Sequence, residues 1–203
     1  MIQLINKEFL RSVFDCIAWA PVLALGNMLP TTRRTLDKTF TIGTVITMSS
    51  EITIRSAVPE DLPVLLTFEQ GIIHAERPYD HTLKPDPISY YDVGALISDD
   101  NAEVAVAELN GELIGSGYAR RKKSRHYLNP SEHAFIGFLY VDPAHRGQGV
   151  NKQVLNHLFD WAHSKGLPEI HLTVYPGNES AIKAYEKAGF DAYLLEMRLN
   201  LDE

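Results

Sequence analysis

Three features are scarce in this 203-residue sequence, and each scarcity narrows the possible classes of protein. The only cysteine is Cys16, so the chain forms no intrachain disulfide and nothing in it calls for an oxidising compartment. The formal net charge is −7, which argues against nucleic acid or an anionic membrane as partner, because phosphate binding needs an excess of Lys and Arg. The longest apolar stretch, Val13 to Leu29, is broken by Asp15 and Pro21, so it predicts neither a membrane span nor a convincing signal peptide. We therefore expect a cytoplasmic protein with a small-molecule or peptide partner.

The chain divides into two parts of different character. Hydrophobic residues make up 45% of the sequence, which suffices for one sizeable core. Residues 1–47 have weak periodicity and include a polar stretch, so they predict a weakly structured or accessory N-terminal extension. Residues 48–203 carry clear helix and strand signals and predict a single α/β domain.

Strands and helices alternate along this predicted domain. Period-two alternation predicts strands, helical spacing of apolar residues predicts helices, and the Asn110-Gly111 pair between two alternating runs predicts a tight hairpin. The expected strands are 51–57, the two arms of that hairpin, 134–141, 169–175 and a final pair around 190–200; the expected helices are 59–76, 88–97, 151–165 and 179–187.

A turn with two glycines joins the strand at 134–141 to the following helix. Gly147 and Gly149 lack a Cβ atom, so their backbone can adopt positive φ and can approach a ligand closely. The helix that begins here adds unpaired N–H groups and the positive end of its dipole, which together favour an anion such as a phosphate. The spacing matches neither the Walker pattern nor the dinucleotide fingerprint. A glycine turn with no ligand is the simpler alternative for this motif taken alone.

Two motifs in this part of the chain resemble those of a known family. The first is V-D-P-x-x-R-G-x-G-V from Val141, and the second is L-T-V-x-x-x-N-x-x-A-x-x-x-Y-x-K-x-G-F from Leu172 to Phe190. Together they resemble the GNAT superfamily of acetyl-CoA-dependent N-acetyltransferases. The resemblance implies a mixed, mostly antiparallel central sheet with helices on both faces. It also implies acetyl-CoA as co-substrate, with no metal.

The resemblance further implies a set of residues that bind the co-substrate. The family's phosphate loop falls on Arg146 to Asn151, where Asn151 replaces the usual small residue and is expected to start or cap the helix. The pantetheine arm is expected along the strand end, where the strand parts from its neighbour, and Asn178 matches a polar contact to that arm. The implied set is Leu139, Tyr140, Val141, Arg146, Gly147, Gln148, Gly149, Val150, Asn151 and Asn178.

Tyr185 matches the tyrosine that the family places near the departing sulfur, so the resemblance implies that it protonates the thiolate. Amine attack also requires loss of a proton, because an alkylammonium has a pKa near 10.4 and no free lone pair. Strict alternation along 134–141 puts Ala134, Ile136, Phe138 and Tyr140 on one face of the strand, and neither face carries a carboxylate. The base is therefore left open among Glu132, His133, His74, Glu76, Asp80 and a water chain.

Two functions are compatible with these observations. The first is an acetyltransferase that moves an acetyl group to a primary amine of a small molecule or peptide by direct attack in a ternary complex, since the only cysteine lies in the extension. The second is a catalytically silent, CoA-binding regulatory module, which the unplaced base and Asn151 keep open. A homodimer is left open as well, and the acceptor is not specified by the sequence.

Overall fold

A computed structural model describes residues 51–201 of the chain. These residues form a five-stranded sheet in the order β1-β2-β3-β4-β5, antiparallel throughout except for the parallel pair β4 and β5. The expected mixed, mostly antiparallel sheet is therefore confirmed. The strands are β1 Thr53–Ser56, β2 Ala102–Leu109, β3 Glu112–Lys123, β4 Glu132–Val141 and β5 Ile170–His171; the helices are α1 Leu62–Glu76, α2 Val93–Ile97, α3 Val150–Ser164 and α4 Glu179–Lys187.

The hairpin between β2 and β3 turns where the sequence predicted. Asn110 and Gly111 both have positive φ, 53° and 85°, as a two-residue turn with the twist of the flanking strands requires. Leu109 then pairs with Glu112, and the ladder continues to Ala102 and Arg120. The hairpin supplies the two central strands on which the rest of the domain is built.

Each face of the sheet is covered by helices. On one face α1 and α2 pack against Val104, Val106 and Tyr118. On the other face α3 packs against Ala105, Ala107 and Ala119. Successive side chains of β2 thus pack alternately on the two faces of the sheet, as expected for a sheet that is buried on both sides.

The C-terminal part differs from the sequence prediction. The strand expected at 169–175 is reduced to Ile170–His171, and the final pair expected around 190–200 does not form. Alternating apolar residues stabilise a strand only when a neighbour pairs with its backbone, and β4 pairs with β5 at two positions only. The side chains of Tyr193, Leu195, Met197 and Leu199 are accordingly exposed.

The helix expected at 88–97 is also shorter: it begins at Val93, after the N-cap Asp92, whose side chain accepts a hydrogen bond from Ala95 N at 3.0 Å. The predicted N-terminal extension, 1–47, and the start of the predicted domain at 48 lie outside the described residues. Among residues 51–201, none of the helices combines the length and apolar character that a membrane crossing requires.

Candidate active site

A bulge in β4 shapes the centre of the site. Ser116 of β3 pairs with Tyr140 and Tyr118 pairs with Gly137, so two residues of β4, Phe138 and Leu139, lie opposite one residue of β3. Phe138 has φ of +56°, a left-handed conformation that is rare for an aromatic residue. The β4 backbone therefore bends in the middle of the sheet.

The bulge also reverses the alternation of side chains along β4. Before it, Ile136 packs in the core beneath α3; after it, Phe138 and Tyr140 pack in the core beneath α1. The expectation that these three residues share one face is wrong, because strict alternation does not survive an inserted residue. Leu139 and Val141 consequently pack toward α3.

Beyond the bulge, β4 is free on the side that faces β5. The two strands pair only at Ala134 with Ile170 and at Phe135 with His171. Asp142 N donates to Ile114 O of the β3 side at 2.9 Å, so the preceding N–H, that of Val141, points away from β3. The carbonyl of Val141 accepts a hydrogen bond from Arg146 Nε at 3.2 Å, which holds the Arg146 side chain at the strand end.

The turn after β4 presents an open helix N-terminus. Gly147 and Gly149 have φ of 77° and 79°, and a Cβ atom on either would meet nothing within 4 Å. Gly149 is the N-cap of α3 and has no side chain to satisfy the first amides of the helix. Gln148 is exposed, with its amide 3.4 Å from Ala144 O. In the described part of the chain, no N-cap side chain bonds the first-turn N–H groups of α3, as an anion site requires.

Asn151 does not start or cap the helix. The helix begins one residue earlier than predicted, at Val150, and Gly149 takes the cap position because glycine adopts positive φ without strain. Asn151 is the second helical residue. The side chain of Val150 is buried in the core, so that residue offers only its backbone at the start of α3.

Asn178 is the N-cap of α4. Its side-chain oxygen accepts hydrogen bonds from Ala181 N at 3.2 Å and from Ser180 Oγ at 3.0 Å. These bonds engage only the oxygen, and the amide nitrogen keeps its donors for another group.

Tyr185 lies on α4, where its ring packs edge-on against Phe190 at 6.1 Å between centroids. Burial, and secondly the negative charge of Glu76, raise the pKa of Tyr185 to about 12. A phenol with that pKa keeps its proton at neutral pH and can donate it.

Two of the candidate bases lie at the wrong end of the sheet. Glu132 and His133 begin β4, and a ten-residue strand at roughly 3.3 Å per residue puts them about 30 Å from the free end at Val141. Glu132 pairs with Arg121 at 2.6 Å, and His133 stacks on His171 at 4.1 Å. Both side chains have structural partners there.

Two further candidates, His74 and Asp80, lie on α1 and just after it. His74 is exposed on α1. Asp80 accepts hydrogen bonds from Thr82 Oγ1 at 2.6 Å and Thr82 N at 2.9 Å, and Arg198 Nη2 lies 3.1 Å away. These contacts, with Thr82 first, hold the pKa of Asp80 well below its usual range, so it is a weak base.

Glu76 has the environment that a base needs. It ends α1, is half-buried, and its pKa is raised by that burial, with a smaller opposing effect from Tyr90. Its charge in turn raises the pKa of Tyr185 on α4 and that of Tyr175. Of the candidates named from the sequence, Glu76 is the carboxylate whose charge affects the pKa of Tyr185.

The entry to α4 is tied to the end of α1. The rings of Tyr79 and Tyr175 stack with centroids 6.2 Å apart, and Tyr175 OH donates to Asp80 Oδ2 at 3.3 Å. A Cβ at Gly177 would lie 2.9 Å from the Tyr79 ring, so the absence of a side chain allows this approach. These contacts keep Glu76 and α4 together.

Tyr90 and Tyr175 are site residues that sequence reasoning missed. The Tyr90 hydroxyl is buried beside Glu76, and its pKa is raised to about 12, first by burial and then by that carboxylate. Within the described residues the Tyr90 hydroxyl has no hydrogen bond of standard geometry, and the Glu76 carboxylate is the neighbour that interacts with it. For Tyr90, the only signal in the sequence was that it forms a pair with Tyr91. A pair of tyrosines indicates core packing as readily as a functional site.

Among residues 51–201, no group of three or more His, Cys, Asp or Glu side chains is placed to hold a metal ion. The parting of β4 from β5 ahead of the glycine turn agrees with the arrangement that the GNAT resemblance implies. Residues 70–190, more than half of the chain, match the family model described as the acetyltransferase (GNAT) family, and the chain belongs to that family.

Similar proteins are known as sequences and as structures. Acetyltransferase ECA0875 of Pectobacterium atrosepticum is 31% identical over 103 residues, which are 49% of this chain and 65% of that protein. A mutant of the BH1408 protein from Bacillus halodurans superposes with a TM-score of 0.66 at 18% identity, over 73% of this chain and 99% of that one. A predicted acetyltransferase with acetyl-CoA from Clostridium acetobutylicum gives a TM-score of 0.55 at 18% identity, over 74% and 97%. At these identities the two structures establish a shared fold.

Proposed function

We propose that the protein transfers the acetyl group of acetyl-CoA to a primary amine of a small molecule or peptide. Membership of the acetyltransferase family supports acetyl transfer in general. The observation that supports the finer proposal is that contacts of Tyr79 and Asp80 with Tyr175 tie the end of α1 to the start of α4, so that the charge of Glu76 contributes to the raised pKa of Tyr185. Pairs of titratable groups with such shifted pKa values are typical of acid and base roles.

The co-substrate is held mainly by backbone in this proposal. Its pyrophosphate lies on the amides from Gly147 to Asn151, at the start of α3. Arg146 and Gln148, both exposed on this turn, supply further donors to the phosphates. The pantetheine arm pairs with the free side of Leu139 to Val141 and with the amide nitrogen of Asn178.

Three groups take part in the proposed transfer of the acetyl group. Glu76 accepts the proton of the acceptor ammonium and so frees its lone pair for attack on the thioester carbonyl. The Val141 N–H, which points away from β3, donates to the oxygen of that carbonyl as negative charge develops there. Tyr185 gives its proton to the departing thiolate sulfur, and the second proton that the nitrogen loses on becoming an amide returns to the Tyr185 phenolate, directly or through water. The C–S bond breaks as the C–N bond forms, and no enzyme-bound acyl group is needed.

The acceptor amine approaches from the loop side of α1. Glu76 provides a negative charge for an ammonium, and the hydroxyls of Tyr90 and Tyr175 lie beside it. An amine with hydrogen-bonding groups near its nitrogen suits this environment better than a purely apolar one.

Release of free thiol from acetyl-CoA, measured with a panel of primary amines, tests the proposal. We expect thiol release that depends on the amine and is abolished when the amine is N-blocked. Acetyl-CoA binding without thiol release across a broad panel would instead support the silent CoA-binding module. Failure to bind acetyl-CoA would overturn both.

A further inference from the structure

Glu69 is a buried acidic residue for which the proposed reaction has no direct use. It lies in the middle of α1 and is 1% exposed, among the apolar residues that face the sheet. A buried carboxylate is costly unless hydrogen bonds replace its water, so its presence in the core needs a structural reason.

Within residues 51–201, the hydrogen bonds that Glu69 accepts all come from one short segment. Its Oε1 accepts from Tyr90 N at 2.7 Å and Tyr91 N at 2.8 Å, and Ser89 Oγ lies 3.0 and 3.1 Å from its two oxygens. Residues 89–91 belong to no helix or strand, since α2 begins at Val93. The carboxylate therefore supplies the backbone partners that regular structure would otherwise provide.

The two tyrosines of this segment reach different parts of the site. The Tyr90 hydroxyl lies beside Glu76. The ring of Tyr91 packs edge-on against that of Phe138, with centroids 5.6 Å apart, at the bulge that opens β4. One anchored segment thus contacts both the candidate base and the bulged strand.

Helix geometry sets the distance between the two carboxylates. Glu69 and Glu76 are seven residues apart, which is about two helical turns, so they share one side of α1 with a separation of roughly 10 Å along the axis. Glu69 is too far away to contact a substrate held at Glu76. It can act there only through residues 89–91.

We propose that Glu69 is a positioning residue, which holds Tyr90 against Glu76 and Tyr91 against the bulge of β4. The catalytic importance of this role rests on the proposed function, but the positioning itself does not. Without the anchor, residues 89–91 lose their main polar partner and water reaches Glu76. The titratable groups that face Glu76 are Tyr90 and Tyr91 from this segment, Tyr175 before α4 and Tyr185 on α4, with Arg77 as the neighbouring cation.

Two substitutions distinguish the effect of the position of the Glu69 carboxylate from the effect of its charge. Glu69→Asp keeps the carboxylate but withdraws it by one methylene, whereas Glu69→Gln keeps the reach of the side chain and removes the charge. Glu112→Asp, on the exposed start of β3, is the matched control. Ser89→Ala removes one donor and provides a milder variant should the Glu69 variants fail to fold.

The readouts are the pKa of Glu76 from carboxyl NMR titration of the full chain and hydrogen exchange at the amides of Tyr90 and Tyr91. In Glu69→Asp we expect exchange at both amides to rise at least about tenfold, the size of one lost charge-assisted hydrogen bond. We expect the Glu76 pKa to fall toward its ordinary range as water enters, because burial is the main cause of its elevation. In Ser89→Ala, we expect the exchange rates of the two amides and the pKa of Glu76 to change in the same directions by smaller amounts.

An unchanged Glu76 pKa in folded Glu69→Asp, or in Ser89→Ala if the former does not fold, would overturn the proposal. A shift in Glu69→Gln without one in Glu69→Asp would also overturn it, since charge rather than position would then be responsible. These measurements need no turnover, so they stand if the protein proves inactive. If it is active, the acid limb of the kcat/KM profile should move to lower pH in Glu69→Asp together with the Glu76 pKa.

Discussion

The two halves of the candidate site differ in whether backbone or side-chain groups form them. The half proposed to hold the co-substrate, from Leu139 to Asn151, offers mainly backbone: a strand end that pairs with β3 but not with β5, and the start of α3, which no described side chain caps. The acceptor half offers side chains, chiefly Glu76, Tyr90 and Tyr185, which come from three separate segments. A backbone site tolerates many side chains but depends on a few glycines, whereas a side-chain site depends on each group it contains.

This difference predicts how each half responds to mutation. In the acceptor half a single conservative substitution removes a chemical group and affects turnover. In the co-substrate half, we expect acetyl-CoA binding to weaken only when a substitution restricts the backbone, as at a glycine, or adds a bulky or negatively charged side chain. The comparison fails if the two kinds of substitution have the same kinetic effect.

The largest effect is expected from Glu76→Gln, which removes the candidate base while keeping its shape. We expect kcat/KM to fall by roughly 10² to 10⁴, the usual contribution of a positioned base. Steady-state kinetics with a responsive amine measure this. Glu132→Gln is the matched control, because this carboxylate at the far end of β4 pairs with Arg121 and should leave kcat/KM nearly unchanged. Equal losses in both variants would show that Glu76 has no special role.

Tyr185→Phe is expected to have the next largest effect. We expect kcat to fall by about 10², the lower end of the range for acid assistance, because a thiolate leaves more readily than an alkoxide. The ring and its packing on Phe190 remain, so the Kd for acetyl-CoA should change little. Full turnover in the Phe variant, with the chemical step shown to limit the rate, would make Tyr185 a structural residue.

A smaller effect is expected from Gly149→Asp in the co-substrate half. An aspartate there carries a side chain at φ of 79° and places negative charge at the first amides of α3. The Kd for acetyl-CoA should rise at least about tenfold, about 1.4 kcal/mol. Gly166→Asp is the control for backbone strain, since Gly166 also has positive φ, 69°, and open space around it but follows the far end of α3. A folded Gly149 variant that binds acetyl-CoA as tightly as the Gly166 variant would remove the proposed site.

The two halves also differ in how far the sequence predicts them. Gly147, Gly149 and the Asn-Gly hairpin are visible in the sequence because positive φ selects glycine and asparagine. The bulge at Phe138 is not, because an aromatic residue gives no sign of left-handed φ, and without the bulge the faces of β4 are assigned wrongly. Residues 76, 90 and 185 interact only after folding, so no spacing rule singles out Glu76 among the acidic residues. The predicted roles of the co-substrate residues and of Tyr185 stay predictions.

The smallest expected effect concerns stability rather than turnover, and it contrasts the two halves most directly. Burial raises the pKa of Glu76, so between its unfolded and folded pKa values the folded protein binds more protons than the unfolded chain. Its ionisation therefore lowers the free energy of unfolding as pH rises through that window, and the cost persists at higher pH. Glu76→Gln removes the cost, so its Tm should equal or exceed that of the wild type at pH 8, and the difference should disappear when pH falls below the unfolded pKa. Thermal unfolding of the wild type and of Glu76→Gln across this pH range measures the difference in Tm.

Gly149→Asp, in the other half of the site, should instead have a lower Tm than the wild type at neutral pH, because its side chain strains the backbone. A Gln variant that is less stable than the wild type at pH 8 would mean that the Glu76 carboxylate is well satisfied by the fold, in which case it is a poor candidate for the base.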